Sequence, residues 1–183
     1  VGHAERVARE FADMPADDRA AILNKTADLM EQRVEEMSRL LTREQGKPVY
    51  DNTKEILFGA EVLRYYAAEA VRMHGSLRVS ASPHVKNIVS YHPMGVTAAI
   101  VPWNYPIDLY CWKIGPAIAT GCPMIVKPPH ETPLAITMLV DCLHEAGVPA
   151  GALADLPGLG PVAGSALARH PRIRMISATA SIA

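Results

Sequence analysis

The sequence is short of net charge, of cysteine and of long apolar runs, and each shortage closes off a class of function. Lysine and arginine number 18 against 19 aspartates and glutamates in 183 residues, a formal charge of −1. The two signs are interspersed, so no basic stripe exists for nucleic acid or an anionic membrane to read. No uninterrupted apolar run approaches the roughly 18 residues of a membrane span, and the start is not the charged and then apolar pattern of a secretory signal. The expected location is cytoplasmic. The 3 cysteines, Cys111, Cys122 and Cys142, match no paired-thiol or zinc spacing, which reads as reduced thiols. Asn24-Lys25-Thr26 fits a glycosylation sequon, but it lies in a helical pattern and is a chance match. Internal repeats and low-complexity segments are lacking too. The chain has no initiator Met, opens within a helical pattern and runs to Ile182-Ala183 without a stop or cap, so both ends are expected to be cuts.

What is present suits one large domain or two small ones, with 49% apolar residues to form a core. From about residue 16 to 45, Ile22, Leu23, Leu29, Met30, Val34, Met37, Leu40 and Leu41 recur at steps of three and four, which predicts one long amphipathic helix. Pro15 suits its first turn, and Gly46-Lys47-Pro48 its end. A second helix is predicted over about 51–73. Residues 75–92 then read as a β-hairpin or ribbon around Ser80-Ala81-Ser82-Pro83-His84, with His84 and His92 at the surface. The expected divisions are a helical segment over 1–74, a ribbon over 75–93 and a sheet region over 94–183.

In the last region short apolar runs alternate with helical stretches: strands at 96–101, 123–127, 152–156 and 173–179, helices at 106–119, 133–146 and 161–169. Crossovers of this length imply a parallel α/β sheet with helices on its faces. The first run, Val96 to Val101, stops at Pro102-Trp103-Asn104-Tyr105-Pro106, which delivers a side-chain amide, Asn104, to the carboxyl end of the sheet. Ligands of open α/β sheets bind at that end. Lys127 ends the second strand, a good place for a ribose hydroxyl or a phosphate. Pro157-Gly158-Leu159-Gly160-Pro161-Val162-Ala163-Gly164 opens a helix after the third, with glycine spacing one residue longer than the dinucleotide fingerprint.

These segments together resemble the NAD(P)-dependent aldehyde dehydrogenase superfamily. The resemblance is carried collinearly by Pro102-Trp103-Asn104-Tyr105-Pro106, Trp112-Lys113-Ile114-Gly115-Pro116-Ala117, Lys127-Pro128, Glu145-Ala146-Gly147-Val148-Pro149, the glycine loop and His170-Pro171. Glu44-Gln45-Gly46-Lys47-Pro48 resembles the end of a family helix. The fold implied is aldehyde-dehydrogenase-like: N-terminal helices and a β-ribbon followed by a partial Rossmann-type parallel sheet. The activity implied is oxidation of a small-molecule aldehyde by a cysteine thiolate with NAD or NADP, in a homodimer or homotetramer at full length.

By the same resemblance Asn104 is an oxyanion donor and Lys113 tunes the nucleophile or relays protons. Tyr105, Leu109 and Trp112 line the aldehyde pocket. Val101, Pro102, Trp103, Lys127, His130, Gly160, Gly164, Ser165, Thr179 and Ser181 face the cofactor. Two departures bear on it. His130 stands where many NAD-preferring members have Glu, so a 2′-phosphate is not repelled there. Ala178-Thr179-Ala180-Ser181-Ile182 replaces a common Phe-Thr-Gly-Ser-Thr, and the Cβ of Ala180 crowds the pyrophosphate approach. The family's nucleophilic cysteine and general-base glutamate fall beyond residue 183, and Cys111 and Cys122 are not substitutes. Two other readings stay open at this point: an inactive truncated paralogue that serves as a binding or assembly module, and an unrelated Rossmann-type binding domain.

Overall fold

Two hydrophobic periodicities divide the chain, and the computed structural model, which describes residues 1–181, follows them. Helical periodicity gives α1 (Gly2–Asp13), α2 (Ala16–Gln32), α3 (Val34–Gln45) and α4 (Val49–Arg72). The single helix expected over 16–45 is therefore two, broken at Arg33, where φ is −104° and ψ is 11°. Apolar spacing runs unbroken through Leu29, Met30, Val34 and Met37, so periodicity carries no trace of the break. At the break the Arg33 guanidinium reaches the Glu145 carboxylate and stands 3.5 Å from Cys142 Sγ. The end of α3 matches expectation. Gly46 takes φ 79°, and its N–H closes the helix on Thr42 O at 2.9 Å.

Alternating residues then build the ribbon, β1 (Ser76–Val79) antiparallel to β2 (Lys86–Val89), with Ser76 opposite Val89 and Pro83 in the connecting turn. Beyond it lie β3 (Thr97–Ile100), α5 (Pro106–Ala119), β4 (Met124–Lys127), α6 (Pro133–Ala146), β5 (Leu153–Asp155), α7 (Ser165–Ala168) and β6 (Met175–Ala178). The last four strands form one parallel sheet in the order β5-β4-β3-β6. The chain steps outward twice from β3 and then returns to its other side. The gap between the carboxyl ends of β3 and β6 is thus the switch point where such sheets bind ligands. The helix expected over 161–169 is also corrected. Gly160–Gly164 forms a single π-helical turn before α7. Two glycines in five residues make a poor α-helical start, because glycine leaves the turn free to widen.

The larger of two cores packs helices against the sheet, filled by Phe11, Met30, Leu63, Tyr110, Ile114 and Leu139 among others, and a smaller one gathers Ala4, Val96, Ala98, Ile125 and Leu167. Glycine lets α4 and α5 approach closely: a Cβ on Gly59 would lie 3.1 Å from Cys111 Sγ, and one on Gly115 only 2.6 Å from Tyr66 Cδ2. The 3 cysteines are buried and unpaired with each other. Burial pushes the Cys111 thiol well above its ordinary value, with Asp108 and Glu55 adding to the shift, which is the opposite of nucleophile activation. Among the described residues no helix is long and apolar enough to cross a membrane.

Candidate active site

Three strand ends supply the site, and each presents a different kind of group. After β3 the chain leaves the sheet through buried Val101 and half-buried Pro102, then turns at Trp103, Asn104 and Tyr105, all exposed. Pro106 occupies the first turn of α5, where its missing N–H costs nothing. This turn is held from outside. Gln45 Nε2 donates to Trp103 O at 2.9 Å, and Lys47 Nζ stands 3.7 Å from the centroid of the Tyr105 ring. Glu55, whose carboxylate is fully buried, accepts the Ile107 N–H at 3.0 Å and pairs with Lys47. It caps the positive end of α5. Burial raises its pKa despite the opposing pull of Lys47 and the backbone donors.

Lys113 rises from α5 toward the far side of the switch point. Its Nζ donates to Thr179 Oγ1 at 2.9 Å and to Ser177 Oγ at 3.2 Å, joining α5 to the end of β6. The side chain is nearly buried, and that burial lowers its pKa. Trp112 and Lys113 border a cavity of about 650 Å³ with Thr97, Met124, Met175 and Ser177. Of the three residues expected to line the aldehyde pocket, Trp112 borders this cavity. Tyr105 borders a separate depression of about 290 Å³ beside Lys47, Glu55 and Asp108, while half-buried Leu109 packs against the core.

At the end of β4, Lys127 is 4% exposed and its ammonium folds onto Pro128 O. Burial lowers its pKa, and Glu131 partly offsets this. The next helix is capped from a distance, with Leu134 N and Ala135 N donating to the two carboxylate oxygens of Glu44 at 2.6 and 2.9 Å. His130 is exposed, with Nδ1 3.3 Å from Glu131 Oε2. The glycine loop meets this strand end. A Cβ on Gly164 would find only ordinary contacts, 3.7 Å to Ile100 Cδ1 and 3.8 Å to Lys127 Cδ, and one on Gly160 would meet nothing within 4 Å. Gly164 has φ −63°, which any residue adopts. The fold itself does not require glycine at either place. Ser165 is half-buried beside them, Ser181 is exposed, and Ile182 lies outside the described residues.

Lys113 and Thr179 are thus brought together, as are Lys127 and Gly164, whereas Ser177, Gln45, Lys47 and Glu55 were not singled out from the sequence as site residues. Only the Glu44-Gln45-Gly46-Lys47-Pro48 motif hinted at the last group. No cluster of metal-ligating side chains occurs among the described residues.

Comparison with known proteins agrees with this geometry. The model of the aldehyde dehydrogenase family matches residues 1–183. The NADP/NAD-dependent aldehyde dehydrogenase PuuC of Escherichia coli K12 is 43% identical over 164 residues, covering 89% of this chain and 33% of the relative. The glutarate-semialdehyde dehydrogenase of Pseudomonas putida KT2440 is 36% identical, covering 97% of this chain and 37% of its own length. The crystal structure of PnpE in complex with nicotinamide adenine dinucleotide superposes with a TM-score of 0.93 at 34% identity, covering 97% of this chain and 36% of that one. The chain spans about a third of the length of the curated relatives it matches. The family model covers the whole chain, its curated relatives match at 43% and 36% identity, and the chain belongs to the aldehyde dehydrogenase family.

Proposed function

We propose that residues 1–183 are the cofactor and oxyanion side of a full-length NAD(P)-dependent aldehyde dehydrogenase. That enzyme oxidises a small aldehyde to a carboxylic acid through a thiohemiacetal and a thioester on a cysteine outside these residues, with a general-base glutamate also outside them. The observation that carries the reading is the switch point itself, where the Asn104 turn follows β3 and the Lys113–Thr179 pair closes on the end of β6.

Asn104 donates its amide N–H to the alkoxide formed when the thiolate adds to the aldehyde carbonyl. An oxyanion donor of this kind is worth about 3 kcal/mol of barrier, on the order of a hundredfold or more in rate. Lys113 is buried with hydroxyl partners, and its lowered pKa suits it to pass a proton or to tune the thiolate. Bound at the carboxyl end of the sheet, NAD or NADP supplies the hydride acceptor. Lys127 and His130 hold the adenosine ribose, and His130 in place of a carboxylate admits a 2′-phosphate. Val101, Pro102, Trp103, Gly160, Gly164, Ser165, Thr179 and Ser181 face the cofactor, and Tyr105, Leu109 and Trp112 the aldehyde side. The exposed ribbon, with Val79 98% and Ile88 78% accessible, is the contact through which full-length copies associate.

The test uses the full-length enzyme. Calorimetric titration is expected to show binding of NAD, NADP or both, and binding of neither overturns the cofactor reading. Asn104→Ala is expected to lower kcat by about a hundredfold with cofactor affinity nearly unchanged. An unchanged rate removes Asn104 from the mechanism, and an open reading frame that stops directly after Ala183 favours the binding or assembly module instead.

A further inference from the structure

We propose that Gln45 and Lys47 are positioning residues for Asn104, gripping the turn on both sides of it so that its amide is already aimed before the aldehyde arrives. The proposal rests on the reading of Asn104 as the oxyanion donor.

The argument begins with which atoms are held. Asn104 is exposed, yet its neighbours are fixed in sequence: the carbonyl of Trp103 by Gln45 Nε2 at 2.9 Å, the ring of Tyr105 by Lys47 at 3.7 Å and the N–H of Ile107 by Glu55 at 3.0 Å. The first contact matters most. The Trp103 carbonyl and the Asn104 N–H share one peptide plane, so a bond to the carbonyl sets the rotation of the plane from which the Asn104 side chain departs. A cation over the adjacent ring sets the other side, and the same ammonium is tied to Glu55, which caps the following helix.

Gln45 is committed through one end of its amide. Among the described residues its Oε1 has no hydrogen-bond partner, while its Nε2 is bonded to the turn. The half that is satisfied points at the turn. Gly46 makes the grip possible: its left-handed φ of 79° reverses the chain between the two gripping residues, and no atom near it would obstruct a Cβ. The glycine is therefore needed for conformation and not for space.

Preorganised donors need this kind of fixing, because a misplacement of about 1 Å in a reacting geometry costs on the order of a hundredfold. The test is a double-mutant cycle in the full-length enzyme, read by kcat and by the single-turnover rate of reduced-cofactor formation. Gln45→Met, of similar shape but without the donor, is expected to slow both about tenfold, with the KM values for aldehyde and cofactor within about twofold. Combined with Asn104→Ala it is expected to add nothing further, because the aim of an absent amide no longer matters. Lys47→Met enters the same cycle from the other side of the turn, and Lys47→Arg, which keeps the pair and the ring contact, is expected to restore most of the rate. The proposal is overturned if Gln45→Met and Lys47→Met run at the parent rate while Asn104→Ala is slow, or if the losses multiply in the double variants. If Asn104→Ala itself runs at the parent rate, the reading beneath the proposal fails instead. Should Gln45→Met not fold, the Lys47 pair of variants decides by the same criteria.

Discussion

The turn after β3 and the loop after β5 stand at the same end of one sheet, and they are built in opposite ways. The first is fastened by side chains from α3, α4 and the segment between them, through Trp103 O, the Tyr105 ring and Ile107 N. The second is fastened by its own backbone, with Val162 N and Ala163 N both donating to Leu159 O, and a Cβ would meet nothing at Gly160 and only ordinary contacts at Gly164. A segment that must aim a side chain is held by others. A segment that must let a ligand reach its backbone is left bare. In the function proposed above, the contrast separates two duties, placing a reacting dipole and admitting a cofactor, by the way each stretch is anchored.

The comparison can be broken most forcefully at Glu55. Glu55→Ala removes a buried carboxylate, uncaps α5 and leaves Lys47 without its partner, so stability is expected to fall by about 3 kcal/mol in urea unfolding. A loss under about 1 kcal/mol would mean that the turn is not braced in this way. Next comes the end of β5, where charge works against the fold. The Asp155 carboxyl accepts the Tyr110 hydroxyl at 3.0 Å, yet burial pushes its pKa up to about 6. A folded value above the unfolded one means that the native state holds an extra proton between about pH 4 and 6, so stability falls as pH rises through that window and is level above it. Asp155→Asn keeps an acceptor for Tyr110 and removes the titration. It is expected to be about 2 kcal/mol more stable than the parent at pH 8 and equal to it near pH 3.5. A constant difference at all pH values would remove Asp155 as the source. The smallest effect on stability belongs to the bare loop. Gly164→Ala is expected to change unfolding by less than about 1 kcal/mol, because its φ is ordinary and a Cβ there would make only ordinary contacts. In the full-length enzyme the same change is expected to weaken dinucleotide binding tenfold or more. Loss of stability without loss of affinity would reverse the assignment.

Much of this was legible in the sequence, and the reasons are local. The strand before Asn104 is an apolar run cut by two prolines, and Gly46 follows a helix at the position where a left-handed cap belongs, so both were read within a residue or two. The parallel sheet followed from alternation of run and helix. The break at Arg33 was illegible because no Pro or Gly marks it and the apolar face passes straight through. The π turn was hidden because glycine and proline announce irregularity without saying which kind. The braces were hidden for another reason: Gln45 and Trp103 are 58 residues apart, and Glu55 and Ile107 are 52 apart. A polar residue at a helix end looks solvated until the partner is known. The surroundings of Tyr105, Leu109 and Trp112 were hidden for the same reason: the three recur at helical steps of four and three, and what each packs against is set by distant parts of the chain.

The close contact between Gly115 and Tyr66 has a mechanical meaning. Helix α5 carries Lys113 on one flank and rests on α4 with the other, and the Tyr66 ring that a methyl group on Gly115 would strike also meets Trp112 edge-on, at 5.9 Å between centroids. Tyr66 therefore works as a depth stop that sets how closely α5 can sit on α4. An error the size of one methyl group at Gly115 would be delivered to the Lys113 ammonium at Thr179 as a change of reach.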